Sequence, residues 1–159
     1  MNKKLSHIDE KGNVRMVNVS GKDDSTRIAI AKGEVVMKSE TLDAVEAGEL
    51  KKGNLYTVAQ LAGIMAAKRT DELIPLCHPL PINYISVDIK PDYDLPGVEI
   101  TASVETISKT GVEMEALTAV TLSALTVYDM AKAIDKSMQI QNIRLVEKRG
   151  GQSGHIINK

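Results

Sequence analysis

Hydrophobic and polar residues alternate with a period of two, as in β-strands, in four parts of the chain. The predicted strands lie at 26–37, 84–90, 98–105 and about 139–146. A bulge is expected in the first strand at Gly33, where the alternation is interrupted. The second and third strands are joined by residues 91–97, whose Pro, Asp and Gly content is typical of a turn, so they predict a hairpin.

Three other segments have the period of an α-helix. The predicted helices cover 42–49, 57–69 and 113–136. Ser39 or Thr41 is expected to cap the first helix. In the second, the apolar residues at helical spacing are Val58, Leu61, Ala62, Ile64 and Met65. The third is apolar over much of its circumference, so we expect deep burial, with a main stripe of Leu117, Val120, Ala124, Val127, Ala131 and Ile134.

The order of the elements predicts the fold class. Without the short first helix it is strand, helix, strand, strand, helix, strand, which is the α+β, ferredoxin-like βαββαβ order. In this fold an antiparallel sheet carries two helices on one face. Residues 1–25 are polar and dotted with glycine, so we expect an N-terminal arm before one domain at 26–159. Since this fold carries many unrelated activities, function must be argued from the site.

Composition excludes several classes of function. Twenty basic and 21 acidic residues give a net charge of -1, without the basic excess that nucleic acid or an anionic membrane requires. The only aromatic residues are four tyrosines, too few for a protein that stacks bases. No apolar run approaches the length of a bilayer span and no signal-peptide core is found, so we expect a cytoplasmic protein.

A proline-rich segment at 73–81 holds the first candidate site residue. Three prolines make the segment rigid, which suits a histidine that must be oriented towards a ligand. The same pattern fits equally well a half-buried loop histidine, His78, without a role. Its neighbour Cys77 is the only cysteine, so no internal disulfide is expected. Adjacent side chains in an extended loop point apart, which argues against a thiolate–imidazole pair. One Cys and three His offer no metal-ligand spacing, so no metal site is predicted.

Two acidic motifs lie on the longest predicted helix. Glu113 and Glu115 stand on either side of Met114 at the start of this helix. They are either carboxylates of the site or ordinary acidic residues that interact favourably with the positive end of the helix dipole. The residues alone favour the second explanation. Asp129 lies on a largely apolar face with Lys132 three residues on. This pair is either a structural ion pair or an acid/base group beside a cation that binds an anion.

Cationic and glycine-rich segments are candidates for phosphate binding. The tail 148–154 combines Lys148 and Arg149 with glycines whose N–H groups are available, but it is no P-loop, because no helix can follow it. Lys51-Lys52-Gly53 and Lys68-Arg69 are further cationic spots. Each alone is typical of a solvated surface, whereas together they could hold a polyphosphate.

Several of these motifs occur together in one family. They are Leu5-Ser6-His7-Ile8-Asp9, Ala66-Ala67-Lys68-Arg69-Thr70, Leu76-Cys77-His78-Pro79-Leu80, the segment 109–119 that contains Glu113-Met114-Glu115, Tyr128-Asp129-Met130-Ala131-Lys132-Ala133, and Gly150-Gly151-Gln152-Ser153-Gly154. Over nearly its whole length the chain resembles the molybdenum cofactor biosynthesis protein C family, the cyclic pyranopterin monophosphate synthases. Ala131 replaces a cysteine found in some members; it falls on the packed stripe, so we expect no consequence.

The resemblance implies site residues and an assembly. Asp129 matches the catalytic aspartate of the family, and Lys132 is expected to act with it. Leu76, Cys77, His78, Met114 and Glu115 match substrate-binding segments, and Glu113, Lys52 and Lys148 match charged positions around the same pocket. No tightly bound cofactor is implied, while Mg²⁺ is compatible with a substrate triphosphate. The family resemblance also implies a homo-oligomer, a hexamer built from dimers.

The resemblance further implies a reaction. Enzymes of this family are lyases that convert a 3′,8-cyclised dihydro-GTP to cyclic pyranopterin monophosphate and release pyrophosphate. Two other classes remain as alternatives: a domain that senses a nucleotide or pterin without changing it, and a structural module that only oligomerises. Incubation of the protein with the cyclised precursor distinguishes these three classes, because only the synthase would release pyrophosphate.

Overall fold

The structure, a computed structural model, describes residues 7–9 and 11–158. Its elements are β1 (Ser25–Val36), α1 (Ser39–Glu46), α2 (Leu55–Ala67), α3 (Thr70–Leu73), β2 (Ile82–Asp92), β3 (Gly97–Ser108), α4 (Glu113–Ala131), β4 (Gln139–Arg149) and β5 (Ile156–Ile157). The start of the predicted arm, including Leu5 and Ser6 of the N-terminal motif, lies outside the described residues. The division into an arm and one domain stays a prediction.

One antiparallel sheet forms the frame, with strand order β2-β3-β1-β4-β5. Its first four strands have the arrangement of the ferredoxin-like fold, which confirms the α+β prediction. The predicted hairpin is confirmed by the pairing of β2 with β3, in which Asp92 lies opposite Gly97.

The bulge predicted in the first strand at Gly33 is not in that strand, because β1 pairs with β3 through Gly33 without a shift. The register shift between β1 and β4 places the additional residue in β4, opposite Gly33, since Lys32 pairs with Arg144 and Glu34 with Gln141. A Cβ at Gly33 would lie 2.7 Å from Val120 of α4, so the glycine also lets the helix approach the sheet.

Helices α2 and α4 pack together through small residues. A Cβ at Gly63 would lie 2.2 Å from the Ser123 hydroxyl, which instead donates a hydrogen bond of 2.9 Å to the Ala59 carbonyl. This close approach makes the small-residue side of α2 its buried face. The larger residues of the predicted stripe therefore point outwards: Val58, Leu61 and Met65 are 39, 57 and 52% exposed. The residues that define the predicted stripe are therefore not the buried face of the helix.

The buried core lies between the sheet and α4. Its fully buried side chains include Val35, Val98, Ile100, Val104, Val120 and Val127. Most of the predicted α4 stripe, including Ala131, is buried, whereas Ile134 and Leu125 are exposed. In the described part of the chain no helix is long and apolar enough to cross a membrane.

Several element ends differ from the prediction. Helix α1 begins at Ser39 after an N-cap at Lys38, and no side chain caps it. Helix α4 ends at Ala131, five residues earlier than predicted, because the chain turns where the Asp135 carboxylate accepts the Lys38 N–H at 3.0 Å. Strand β4 extends to Arg149, and β5, which periodicity did not predict, folds back to pair with it.

Candidate active site

A cavity of about 350 Å³ lies at the N-terminal end of α4. It brings together six of the predicted substrate-binding residues: Leu76, Cys77, His78, Glu113, Met114 and Glu115. Leu80, Thr110 and Gly111 complete the wall, and the arm adds His7, Val17, Val19 and Lys22. His7 belongs to the recognised motif at 5–9, whereas the sequence offered no signal for Val17, Val19 and Lys22, because the arm has no hydrophobic period.

Glu115 is a buried carboxyl group on the first turn of α4, with only 4% of the residue exposed. Loss of solvation raises its pKa to about 7; a backbone hydrogen bond opposes the rise, and the charges of Glu113 and Asp71 add to it. Near neutral pH this group can therefore donate or accept a proton. A helix N-terminus favours the ionised form of a carboxyl group and would therefore lower its pKa. The helix-dipole explanation thus accounts neither for the burial of Glu115 nor for its raised pKa.

Glu113 forms an ion pair with Lys148 of β4, and both side chains are about one-quarter exposed. A Cβ at Gly111 would lie 2.0 Å from the Glu113 carboxylate, so the glycine leaves the space that this carboxylate occupies. The pair joins α4 to the last long strand. It also brings Lys148, predicted from the glycine-rich tail, beside a residue that lines the cavity.

His78 holds the arm against the cavity. Its Nε2 lies 2.8 Å from the Val17 carbonyl oxygen. Because a carbonyl oxygen only accepts, we assign the proton to Nε2, which leaves Nδ1 as the acceptor nitrogen of the neutral ring. Lys109 adds a second contact to the arm by donating to the Ser20 carbonyl at 3.1 Å.

Cys77 is half-buried beside His78. Burial raises the pKa of its thiol, and the charges of Glu115 and Asp71 raise it further. Within the described residues the thiol and the His78 ring share no hydrogen bond. This environment favours the thiol over the thiolate, which agrees with the expectation that Cys77 and His78 are not a nucleophile pair.

A second cluster, formed by Lys52, Asp129 and Lys132, lies at the other end of α4. One carboxylate oxygen of Asp129 is 2.7 Å from the Lys132 ammonium, and the other is 2.7 Å from that of Lys52. Lys52 also donates to the Asp129 main-chain carbonyl at 2.9 Å. The ion pair predicted at spacing i,i+3 is therefore present, and the loop between α1 and α2 supplies a second lysine.

The two lysines determine the acidity of Asp129. Their hydrogen bonds and charges, first those of Lys132 and then those of Lys52, lower its pKa to about 2. The group is half-exposed, so a ligand can reach it. An anion that draws one lysine away would raise the pKa of the carboxyl group and make Asp129 a stronger base.

The predicted site residues thus form two groups in the chain. Leu76, Cys77, His78, Glu113, Met114, Glu115 and Lys148 lie at one end of α4, and Lys52, Asp129 and Lys132 lie at the other. Residues 115 and 129 are separated by about 21 Å along the helix axis at ~1.5 Å per residue. Among residues 7–9 and 11–158, no three His, Cys, Asp or Glu side chains come together as a metal-ligand group.

Comparison with known proteins identifies the family. The MoaC family profile matches residues 16–151, a range that includes both groups of site residues. The chain belongs to the MoaC family. This confirms the resemblance seen in the motifs.

Curated relatives of this MoaC family member share one name, cyclic pyranopterin monophosphate synthase. The relative from Roseiflexus sp. (strain RS-1) is 56% identical over 154 residues, which cover 97% of this chain and 98% of the relative. The relative from Dinoroseobacter shibae is 57% identical over 94% of this chain and 95% of its own length. The relative from Nostoc sp. (strain PCC 7120) is also 57% identical, over 94% of this chain and 89% of its own length.

Proposed function

We propose that this MoaC family member is a cyclic pyranopterin monophosphate synthase of molybdenum cofactor biosynthesis. Its substrate would be 3′,8-cyclo-7,8-dihydroguanosine 5′-triphosphate, and its products cyclic pyranopterin monophosphate and pyrophosphate. The observation that carries the proposal is that one helix bears two carboxyl groups whose pKa values are shifted in opposite directions. Glu115 titrates near neutral pH, and Asp129 is held ionised between two lysines.

The first part of the reaction needs proton transfers. Opening the five-membered ring of the guanine and closing the pterin ring move protons to and from nitrogen and carbon. A group with a pKa near the working pH is suited to such transfers, which favours Glu115. Asp129 would become a competent base once the substrate phosphates draw Lys52 or Lys132 away from it.

The second part is a phosphoryl transfer within the substrate. A hydroxyl oxygen derived from the ribose attacks the α-phosphorus, the bond to the β-phosphate oxygen breaks, and pyrophosphate leaves. The hydroxyl proton passes to a base of the site. Negative charge grows on the leaving group, and Lys52, Lys132 and Lys148 are the cations proposed to stabilise it. Mg²⁺ carried in on the triphosphate would add to this stabilisation.

The distance between the two groups supports a site shared by two subunits. A nucleoside triphosphate is too short for its reacting centre to contact Glu115 and Asp129 of one helix. The outward apolar side chains Leu61, Met65 and Leu125 are half-exposed, as expected for a surface that another subunit covers. We therefore propose a homo-oligomer, a hexamer built from dimers, in which a neighbour completes each site.

The test is turnover of the cyclised precursor by the purified protein. We expect pyrophosphate and the cyclic phosphate to appear in equal amounts as the precursor disappears. A sensing domain would return the precursor unchanged, and a structural module would neither bind nor convert it. Either result would contradict the proposed function, provided that a relative already named as a synthase is active in the same assay.

A further inference from the structure

Lys52 is carried by residues 47–54, the connection between α1 and α2, which we call the Lys52 loop. Its side chain is about half-exposed, yet its ammonium group contacts Asp129 twice, at 2.7 Å from the carboxylate and 2.9 Å from the main-chain carbonyl oxygen. Holding a long, exposed side chain in one geometry costs side-chain entropy, which an exposed ion pair barely offsets. The two contacts therefore depend on a backbone that already places the lysine beside Asp129.

A hydrogen bond between Tyr56 and Glu46 joins the two ends of this loop. Glu46 is the last residue of α1, and Tyr56 is the second residue of α2. The Tyr56 hydroxyl donates to Oε1 of Glu46 at 2.5 Å. Burial, and then the hydrogen bond and charge of Glu46, raise the pKa of this hydroxyl, so it stays protonated and remains the donor. The bond thus fixes the separation of the two helix ends that the loop connects.

Contacts inside the loop fix Lys52 further. Leu50 is buried, and its carbonyl oxygen accepts the Gly53 N–H at 3.1 Å, which makes Lys52 the third residue of a tight turn. Gly53 has a φ of 93°, in the left-handed region that favours glycine. Asn54 then begins α2 by accepting the Thr57 N–H at 2.9 Å. The lysine therefore lies on a short turn that is anchored on both sides.

Tyr56 and Glu46 act on the site at a distance. Both lie outside the described lining of the cavity at the N-terminal end of α4. The ring of Tyr56 packs against the core, whereas its hydroxyl serves the bond to Glu46, so the two parts of the side chain have separable roles. Through the loop backbone, this bond bears on the position of Lys52.

We propose that Tyr56 and Glu46 are positioning residues, which hold the Lys52 loop closed so that the Lys52 ammonium group stays on Asp129. A lysine held in this way is in place before a phosphate group arrives, so binding does not have to order it. That Lys52 then acts on the substrate rests on the proposed function, whereas its placement by Tyr56 and Glu46 does not.

Acetylation of lysines by acetic anhydride, followed by mass spectrometry, tests this placement in the purified protein. Tyr56→Phe keeps the ring and removes the donor, and Tyr84→Phe is the matched control, because Tyr84 is 57% exposed on the edge strand β2. An amine released from two hydrogen bonds is more available, so Lys52 should be acetylated at least about threefold faster in Tyr56→Phe. Lys90, which pairs with Asp88 on β2, should react equally in all three proteins.

Variants of the acceptor separate the hydrogen bond from a general loss of stability. Glu46→Gln keeps an oxygen that can accept from the tyrosine hydroxyl, whereas Glu46→Ala removes it. We expect acetylation of Lys52 near the wild-type rate in Glu46→Gln, and as fast in Glu46→Ala as in Tyr56→Phe. Combining Glu46→Ala with Tyr56→Phe should add nothing, because both remove the same bond. Equal acetylation of Lys52 in the wild type, Tyr56→Phe and Glu46→Ala would overturn the proposal.

Turnover of the cyclised precursor gives a second readout, in a double-mutant cycle with Lys52→Ala. Loss of a hydrogen bond to a charged acceptor predicts a kcat about three- to tenfold lower in Tyr56→Phe than in the wild type. In the Lys52→Ala protein the same change should cost less than about twofold, because the lysine that it positions is gone. An equal loss in both backgrounds would overturn the proposal. The acetylation rates decide the matter if Lys52→Ala has no measurable turnover.

Acetylation and turnover report separately on the placement of Lys52 and on the proposed function. A protein that leaves the precursor unchanged, while Lys52 is acetylated faster in Tyr56→Phe and Glu46→Ala, would support the placement and contradict the synthase assignment. A protein that converts the precursor, with equal acetylation of Lys52 in the wild type and these variants, would do the opposite.

Discussion

Glu115 and Asp129 lie on nearly the same face of one continuous helix, fourteen residues apart. Fourteen steps of about 100° return to within roughly 40° of the starting direction, and at ~1.5 Å per residue they advance about 21 Å. Glu115 is buried in a cavity, whereas Asp129 is half-exposed between two lysines. One helix thus presents two carboxyl groups with opposite pKa shifts. Under the proposed function, a reacting centre that needs both groups would meet two copies of the helix.

Asp129→Asn should abolish most turnover of the cyclised precursor while leaving the fold intact. The change is nearly isosteric, but an amide cannot accept a proton at neutral pH. We expect a loss of about 10² to 10⁴-fold, the usual contribution of an acid/base group. Initial rates of pyrophosphate release, measured at saturating precursor, check this expectation.

The control for this variant is Asp43→Asn, which changes an exposed carboxylate on α1 in the same way. It should turn over at the wild-type rate. Wild-type pyrophosphate release from Asp129→Asn would remove Asp129 from the mechanism.

Cys77→Ser should keep turnover within about tenfold of the wild type, because Cys77 is not expected to act as a nucleophile. Removal of a catalytic nucleophile lowers turnover by several orders of magnitude. Burial raises the pKa of this thiol, so it is a poor nucleophile and a poor metal ligand at neutral pH. Complete loss of activity with an unchanged circular dichroism spectrum would show that this assignment is wrong. Stoichiometric zinc in the purified protein would show the same.

Glu115→Gln should alter the pH dependence of stability in a defined window. Burial raises the pKa of Glu115 from its usual 4.5 to about 7, so between these values the folded state holds a proton that the unfolded state has released. The wild type therefore loses stability relative to the variant as pH rises from about 4.5 to 7. Each pH unit in this window changes the ratio of the two unfolding constants by at most about tenfold.

Urea unfolding of both proteins between pH 4 and 8.5 measures this difference. We expect the stability of Glu115→Gln relative to the wild type to rise through the window and to level off above pH 7. A difference that does not change with pH would mean that Glu115 titrates in the native protein as it does in the unfolded chain.

Asp135 is a buried carboxylate that joins the start of α1 to the turn after α4. It accepts hydrogen bonds from the Ser137 hydroxyl at 2.6 Å, the Ser137 N–H at 2.8 Å and the Lys38 N–H at 3.0 Å. Asp135→Ala would leave the Lys38 N–H without its acceptor, and we expect a loss on the order of 2 kcal/mol. Asp43→Ala, on the exposed side of α1, should change stability by less than about 0.5 kcal/mol.

The contribution of Asp135 to the stability of the folded protein should disappear in acid. The hydrogen bonds from Ser137 and then from Lys38 lower its pKa from 3.8 to about 2, so its contribution is full above pH 3.8 and is lost as pH falls through 2. Unfolding curves of the wild type and Asp135→Ala should therefore converge between these pH values. A gap that stays constant down to pH 2 would contradict this role.

The periodicity of the sequence predicted the sheet better than the helices. The four main strands and the hairpin follow from alternation, because each strand has one face on the core. The apolar stripe of α2 does not mark its buried face, because Gly63 and Ala59 allow the side of the helix with small residues to pack closest to α4. Leu61 and Met65 therefore remain exposed. A rule that places the largest apolar residues inside cannot anticipate this arrangement.

The sequence predicted part of the residues that line the candidate site, but not their division into two groups at the ends of α4. The spacing of Asp129 and Lys132 predicted their ion pair, because residues three apart share a helix face. Lys52 and Lys148 reach their carboxylate partners only through the tertiary fold. The burial that raises the pKa of Glu115 likewise depends on the tertiary fold, which brings distant segments, including Leu76 and the arm residue Val17, to the same cavity.

The central claim, that the two ends of α4 from different subunits complete one site, is tested most directly by mixing two inactive proteins. Asp129→Asn chains supply intact Glu115, and Glu115→Gln chains supply intact Asp129. Random exchange should give both intact residues to about one quarter of the sites of a symmetric oligomer, and turnover should recover accordingly.

The measurement is pyrophosphate release before and after subunit exchange, with exchange verified by mass spectrometry and the oligomer by light scattering. The shared-site account predicts recovery of up to about a quarter of the wild-type rate from two proteins that are each inactive alone. No recovery after complete exchange would place both residues of a site on one chain. A scattering mass near 17.2 kDa under active conditions would contradict the oligomer itself.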